Sequence, residues 1–205
     1  MSSVEIKNVV FDIGNVVVRW SPLEIIRLTF GDNNAVEEKA KSIFQSETWL
    51  RLNKGQITEN DAKAQYKEAL GLTELECERL FYYVKQTQIL IHGSVDLIKR
   101  CKSAGLNVLA LTDNVHEIVS HLKNTYTFWE LFDGAIVSAD VGLLKPQPEI
   151  YQTLLSQYEL KASQTVFIDD MPYNVKGAES VGIAAIQFEN VSQCEQALRS
   201  LGVQI

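Results

Sequence analysis

Five short apolar runs place the strongest limit on what this chain can fold into. They cover residues 6–11, 106–111, 135–137, 165–168 and 183–188. Short, mostly apolar runs of this kind are typical of strands that are buried on both faces of a sheet. Helical patterns separate the later runs, and strands that alternate with helices form parallel sheets. Because five strands are too few for an eight-stranded barrel, we predict an α/β protein with an open, doubly wound, Rossmann-like parallel sheet.

The segment between the first two runs breaks this alternation. From about residue 21 to about residue 91 no pattern predicts a strand, whereas residues 35–45 are amphipathic with helical spacing. Thr73 and Glu76 form a capping-box pattern before an apolar helical stretch, and Thr58 and Asp61 form a similar one. We therefore predict that residues 1–20 and 92–205 form an α/β core and that residues 21–91 form a helical insertion standing over the sheet.

Charge and cysteine usage narrow the classes of partner. The 205 residues carry a formal net charge of −7, which disfavours nucleic acid and anionic membrane as partners. Cys77, Cys101 and Cys194 lack the spacing of a zinc site or a disulfide framework, so we expect buried free thiols. The first apolar run stops at Asp12, and no run approaches the roughly 18 residues of a membrane span. These features predict a cytoplasmic protein.

Polar residues that follow three of the predicted strands concentrate the candidate chemistry at one edge of the sheet. Asp12, Thr112 and the pair Asp169–Asp170 each end an apolar run. In an open parallel sheet, ligands bind beyond the carboxyl ends of the strands. Neighbouring carboxylates repel one another unless a cation lies among them, and Mg²⁺ prefers oxygen ligands. The pattern therefore predicts a Mg²⁺ site suited to phosphoryl transfer.

Lys145, which precedes Pro146, completes this set of residues. A fixed ammonium neutralises both a nucleophilic carboxylate and a phosphate, as phosphoryl transfer requires. The sequence has no Walker A pattern, no G-x-G-x-x-G and no G-x-S-x-G. Glycine-rich nucleotide loops and the serine-hydrolase elbow are therefore not indicated.

Four segments of the chain resemble, in order, the four motifs of the haloacid dehalogenase-like (HAD) hydrolase superfamily. They are residues 9–17, residues 109–114, Lys145–Pro146, and residues 166–170 followed by Asn174 and Gly177–Ala178. The resemblance implies that the insertion is an α-helical cap. The first motif, residues 54–58 and the double aspartate also resemble the branch that contains α-D-glucose-1-phosphate phosphatase. That likeness implies a small phosphorylated metabolite, such as a sugar phosphate, as the substrate.

The resemblance further implies a role for each matching residue. Asp12 would be the nucleophile that forms an aspartyl-phosphate, Thr112 would bind the transferring phosphoryl group, and Lys145 would offset the charge of both. The backbone N–H groups of Asn15 and Asp113 would also lie near the phosphate. Mg²⁺ would take its protein ligands from four groups: the carboxylates of Asp12, Asp169 and Asp170, and the backbone carbonyl of Gly14.

Gly14 departs from the pattern of most phosphatases in this superfamily. They carry, two residues after the nucleophile, an aspartate that acts as general acid and base, and such help is typically worth about 10²–10⁴-fold in rate. Gly14 has no side chain to supply it. Two alternatives to a phosphatase follow: a metal-independent 2-haloacid dehalogenase, in which Asp12 attacks carbon, and a weakly catalytic module that binds phosphate.

Residues of the insertion are candidates for contact with the leaving group. Trp20 comes just after the first motif, and Trp49, Asn53 and Lys54 lie near a predicted break between two helices. A cap that excludes water strengthens the charge interactions beneath it. We therefore expect Asn53 and Lys54 to bind substrate, while the sequence leaves a monomer and a homodimer equally open.

Overall fold

The computed structural model describes residues 5–205, so the first four residues of the predicted core segment lie outside the described residues. Within that range the five predicted strands are present, with ends that shift by at most two residues. The strands are β1 (Asn8–Phe11), β2 (Asn107–Thr112), β3 (Gly134–Val137), β4 (Thr165–Asp169) and β5 (Ala184–Gln187).

All four strand pairings are parallel, and the order β3-β2-β1-β4-β5 places β1 at the centre of the sheet. Successive residues alternate between two apolar clusters: Val9 packs on one face, and Val10 packs on the other. Both residues are fully buried, as the continuous apolar run predicts. This order confirms the doubly wound, Rossmann-like class. It also brings the carboxyl ends of β1, β2 and β4 side by side.

Helices separate β2, β3, β4 and β5, as the sequence predicts. The apolar side of each helix packs on the sheet, and the three cysteines are buried and free, as predicted. The core helices are α6 (Ser94–Ser103), α7 (His116–Thr125), α8 (Ser138–Val141), α9 (Pro148–Gln157), α10 (Pro172–Ser180) and α11 (Val191–Ser200).

Five helices and no strand occupy the described insertion. They are α1 (Pro22–Phe30), α2 (Val36–Phe44), α3 (Glu47–Asn53), α4 (Glu59–Leu70) and α5 (Glu74–Gln86). Thr58 and Thr73 begin α4 and α5 with complete capping boxes, and Gly71 ends α4 in a left-handed conformation. No sequence pattern defined α1 or α3. Trp49 and Asn53 therefore lie within a helix, and the expected break between helices begins only after them.

Two chain segments that run side by side join the insertion to the sheet. The backbone N–H of Arg19 donates to Ile89 O, and that of Ile91 donates to Val17 O, at 2.9 and 2.8 Å. The chain thus leaves the sheet region and returns to it at one place. No helix within residues 5–205 combines the length and the apolar character needed to cross a bilayer.

Candidate active site

Asp12 lies at the base of a cavity, immediately beyond the central strand. Its backbone N–H still pairs with Ile168 O at 2.9 Å, so the sheet fixes its position. Its Oδ1 accepts a hydrogen bond from the Ile13 N–H at 2.7 Å, and the residue is 7% exposed. A carboxylate held this rigidly and facing a cavity is placed to act as a nucleophile.

Lys145 joins the ends of β1 and β4. Its Nζ lies 2.9 Å from Asp12 Oδ1 and 2.7 Å from Asp169 Oδ2. Burial by itself lowers the pKa of this lysine, but the carboxylates of Asp12, Asp169 and Asp113 outweigh burial and raise the pKa above its usual value. Lys145 is therefore a permanent cation within the site.

One lysine does not balance the charge around it. Oxygen atoms of Asp12, Asp169 and Asp170 all lie within 4.8 Å of one another. Burial raises the pKa of Asp12 well above its usual value even though Lys145 acts to lower it, and Asp169 raises it further. Burial also raises the pKa of Asp170. Three carboxylates and one ammonium leave two negative charges, and an all-oxygen donor set of this charge fits a hard divalent cation such as Mg²⁺.

Two asparagines orient the carboxylates of the β4 end. Asn174 Nδ2 donates to both oxygens of Asp169, at 3.0 and 3.1 Å. Asn15 Nδ2 donates to Asp170 Oδ2 at 3.1 Å, while Asn15 Oδ1 accepts from the Trp20 N–H. Asn15 has φ of 53°, a left-handed conformation that asparagine tolerates better than most residues. Its side chain thus holds Asp170 in addition to the backbone role expected for it.

The end of β2 adds a fourth carboxyl group, that of the half-buried Asp113. Asp113 Oδ1 accepts the backbone N–H of Lys145 at 3.1 Å. Burial raises the pKa of Asp113 to about 6, against the lowering effect of Lys145. Thr112 is the last residue of β2 and is 1% exposed. The Asp113 side chain therefore fixes the lysine loop beside the carboxylates.

Ser138, the first residue of α8, connects the insertion with the loop that follows β2. Its Oγ donates to Asn53 O at 2.7 Å and accepts the Asn114 N–H at 2.8 Å. Gly55 lies so close to α8 that a Cβ there would be 2.1 Å from Ala139 O. The end of α3 is therefore packed directly against the core, at the side of the site.

A cavity of about 490 Å³ opens above these residues, within the usual range for small-molecule sites. Several predicted site residues line it together: Asp12, Gly14, Asn15, Asn53, Asp113, Lys145 and Asp170. Thr112 and Asp169 lie behind this lining. Lys54 is not among the lining residues either, and it follows Asn53 at the end of α3. Since neighbouring helical residues point about 100° apart, they face different directions, and the structure does not bring Lys54 into the site.

Three residues around the site had no role predicted from the sequence: Asn174, Asn114 and Ser138. Asn174 comes five residues after Asp169, on the first turn of α10. A helix that begins just beyond a strand places its first turn near the end of that strand, so the contact between Asn174 and Asp169 was predictable. Asn114 follows the strand-end residues Thr112 and Asp113. Ser138 gives no comparable signal, because its partners lie 24 and 85 residues away in the chain.

Two known phosphatases are similar in sequence to this chain over almost its whole length. The chain is 28% identical over 200 residues to a sesquiterpene phosphatase of Aspergillus oryzae, covering 96% of this chain and 97% of that one. It is 26% identical over 207 residues to a D-ribitol-5-phosphate phosphatase of Bacteroides thetaiotaomicron, covering 94% and 97%. Some other matching proteins are longer, and the chain spans 15% to 36% of their length.

A solved structure shares the fold. A HAD family enzyme of Bacteroides thetaiotaomicron, in complex with magnesium and inorganic phosphate, superposes with a TM-score of 0.75 at 20% identity, covering 90% of this chain and 95% of that one. The family model for haloacid dehalogenase-like hydrolases matches residues 6–182, which include the cap and all four motifs. The chain therefore belongs to the haloacid dehalogenase-like hydrolases.

Proposed function

We propose that this hydrolase is a Mg²⁺-dependent phosphatase that acts on a small phosphomonoester through an aspartyl-phosphate on Asp12. The observation that carries the proposal is the cluster of Asp12, Asp169 and Asp170 around one lysine. A dehalogenase that needs no metal has no use for three converging carboxylates. The names of the two phosphatase relatives support the same reaction class.

Asp12 carries out both halves of the reaction. An oxygen of its carboxylate attacks phosphorus, so that an O–P bond forms while the bond from phosphorus to the alcohol oxygen breaks. The departing alkoxide takes a proton from solvent water and leaves as the alcohol. Water then attacks phosphorus as the bond from phosphorus to the Asp12 oxygen breaks, which releases inorganic phosphate, restores the Asp12 carboxylate and returns a proton to solvent. The hydrogen bond from Ile13 N–H to Oδ1 keeps the carboxylate aimed at the cavity.

The residues around Asp12 bind and neutralise the phosphoryl group. Lys145 offsets negative charge on both Asp12 and phosphate, and Asp113 holds the loop of this lysine in place. Thr112 and the backbone N–H of Asn15 are proposed phosphoryl ligands. When bound, Mg²⁺ supplies Lewis-acid stabilisation of the phosphoryl oxygens. Its proposed protein ligands are the carboxylates of Asp12, Asp169 and Asp170, and the carbonyl of Gly14.

Magnesium is expected to be required for turnover and to stabilise the fold. Hydrolysis of p-nitrophenyl phosphate should appear with Mg²⁺ and stop with EDTA. The melting temperature should rise with Mg²⁺ concentration, because an ion that binds only the folded state stabilises it by mass action. Both are measured on the same protein, by absorbance and by calorimetry. Full phosphatase activity in EDTA would contradict the metal site.

The same assay distinguishes the alternatives. Release of chloride from 2-chloropropionate without metal, in the absence of phosphatase activity, would make the protein a dehalogenase. Tight binding of inorganic phosphate without turnover of any ester would make it a weakly catalytic binding module. Mg²⁺-dependent hydrolysis excludes both.

The Gly14→Asp substitution tests whether the lack of a general acid at this position limits kcat. Gly14 is not in the left-handed region, and an added Cβ would meet only Trp20 Cβ, at 3.8 Å, which is ordinary contact. The backbone at this position therefore accepts a Cβ. Because a general acid matters most when the alkoxide is a poor leaving group, Gly14→Asp should raise kcat for methyl phosphate by roughly tenfold or more and change p-nitrophenyl phosphate little. An equal fall in kcat on both substrates would show that the new carboxylate only disturbs the metal.

A further inference from the structure

Three aromatic rings form part of the cavity wall: Trp20, which immediately precedes the cap, and Phe44 and Trp49 of the cap. We call Trp20, Phe44 and Trp49 the aromatic wall. The two indoles stack with centroids 5.8 Å apart, and Phe44 meets them edge-on at 5.3 and 5.0 Å. Ring–ring contacts on several sides hold this surface in one conformation. All three residues line the same cavity as Asp12.

The cap brings no charge to the cavity. Its described lining residues are neutral: Pro22, Phe44, Gln45, Trp49, Leu50, Asn53 and Gln88. Among the cavity-lining residues of the described chain, Lys145 is the one cation, and the carboxylates of Asp12 and Asp169 already hold it. A second phosphate or a carboxylate on the substrate would therefore find no partner here.

Two buried amides of the cap each donate a hydrogen bond to the cap backbone. Asn53 Nδ2 donates to Trp49 O at 2.8 Å, and Gln88 Nε2 donates to Val84 O at 3.1 Å. Both residues are more than nine-tenths buried. A polyol bound against this surface would lose hydrogen bonds to water and gain few in return, which is costly for each unpaired hydroxyl.

We propose, on the basis of the function proposed above, that the substrate is the phosphomonoester of an uncharged, mainly hydrocarbon alcohol whose apolar part lies against the aromatic wall. In this proposal, Lys145 and the Mg²⁺ held by the carboxylate cluster bind the phosphate end. The alcohol end is recognised by burial of apolar surface, so selectivity depends on hydrocarbon area more than on the pattern of hydroxyl groups.

A homologous series of n-alkyl phosphates from methyl to hexyl tests this directly. Burial of one methylene changes affinity by about fourfold, so kcat/KM should rise by roughly twofold to fourfold per carbon until the cavity is full. Glucose 1-phosphate and glucose 6-phosphate should be no better than ethyl phosphate. A flat alkyl series, with a glucose phosphate as the best substrate, would overturn the proposal.

Variants of two phenylalanines of the cap test whether the aromatic wall causes the preference for longer alkyl chains. Phe44→Ala should lower the hexyl-to-methyl ratio of kcat/KM by about tenfold, and Phe44→Leu, which keeps apolar surface, should restore most of it. Phe30→Ala is the control, because Phe30 ends α1, is half-buried like Phe44 and does not line the cavity. An equal loss in Phe30→Ala and Phe44→Ala would contradict a role for the aromatic wall.

A binding measurement separates this proposal from the phosphatase reaction itself. Alkylphosphonates carry a carbon–phosphorus bond that hydrolysis does not break, and their Kd with Mg²⁺ present can be measured by calorimetry. A Kd that falls with each methylene supports the apolar site even if no ester is hydrolysed, in which case only the proposed reaction fails. The same Kd from methyl to hexyl would overturn the apolar site, whatever the turnover.

Discussion

Asp12→Asn is expected to lower kcat for every phosphomonoester by on the order of 10⁴-fold or more, because an amide cannot form the phosphoryl-enzyme. The fold should persist, since the amide oxygen can still accept the Ile13 N–H and approach the Lys145 ammonium. Steady-state assays give the loss, and circular dichroism with thermal melting confirms the fold.

A matched variant shows that this loss belongs to the site. Asp140→Asn removes a carboxylate that is largely exposed on α8 and pairs with His116 at 3.3 Å. Its kcat should equal that of the unmodified protein. Substantial turnover by a folded Asp12→Asn protein would end the aspartyl-phosphate mechanism.

Lys145→Met is expected to lower kcat by roughly 10²–10³-fold and to destabilise the fold by about 3–5 kcal/mol in EDTA. The substitution leaves Asp12 and Asp169 buried without their ammonium. The pKa of Asp12, which burial already raises, then rises further above that of the unfolded chain. A folded-state carboxyl pKa above the unfolded value means that the folded state binds more protons, and stability then falls as pH rises. The loss relative to the unmodified protein should therefore be larger at pH 8 than at pH 5, as measured by urea unfolding.

Lys63 is the matched control for Lys145. It is also buried, and it pairs with Glu59 and Glu78 at 3.0 and 2.8 Å, but it lies in α4 away from the cavity. Lys63→Met should destabilise the cap while the folded protein keeps its kcat. If Lys145→Met kept full kcat, or lost no more stability at pH 8 than at pH 5, the charge assignment at the site would be wrong.

The sheet was predictable because its strands are buried on both faces. In a chain of this composition, a continuous apolar run such as residues 165–168 has few possible structures other than a buried strand. The bounds of β4 match this run closely. Helices α4 and α5 were predictable from their capping boxes. Helix α1 was not defined, because Ser21 makes no side-chain cap and only Pro22 marks the start. Helix α3 has seven residues, too few for its apolar period to appear.

The catalytic part of the site was predictable for a related reason. Parallel strands deliver their terminal residues to one edge, so Asp12, Asp113 and Asp169 had to meet once β1, β2 and β4 were adjacent. No comparable rule predicts the contacts between the cap and the core. The Ser138 contact with Asn53 and the direction in which Lys54 points depend on how α3 packs against α8, and a local pattern carries no information on that packing.

The most direct test of the central claim is a rapid acid quench of a single turnover with Mg²⁺, followed by mass spectrometry of the proteolytic peptides. We expect a phosphoryl group on the peptide that contains Asp12, formed at the rate of alcohol release and absent in Asp12→Asn. Alcohol released in a Mg²⁺-dependent turnover without any phosphoryl group on Asp12, or with the group on another residue, would contradict the mechanism.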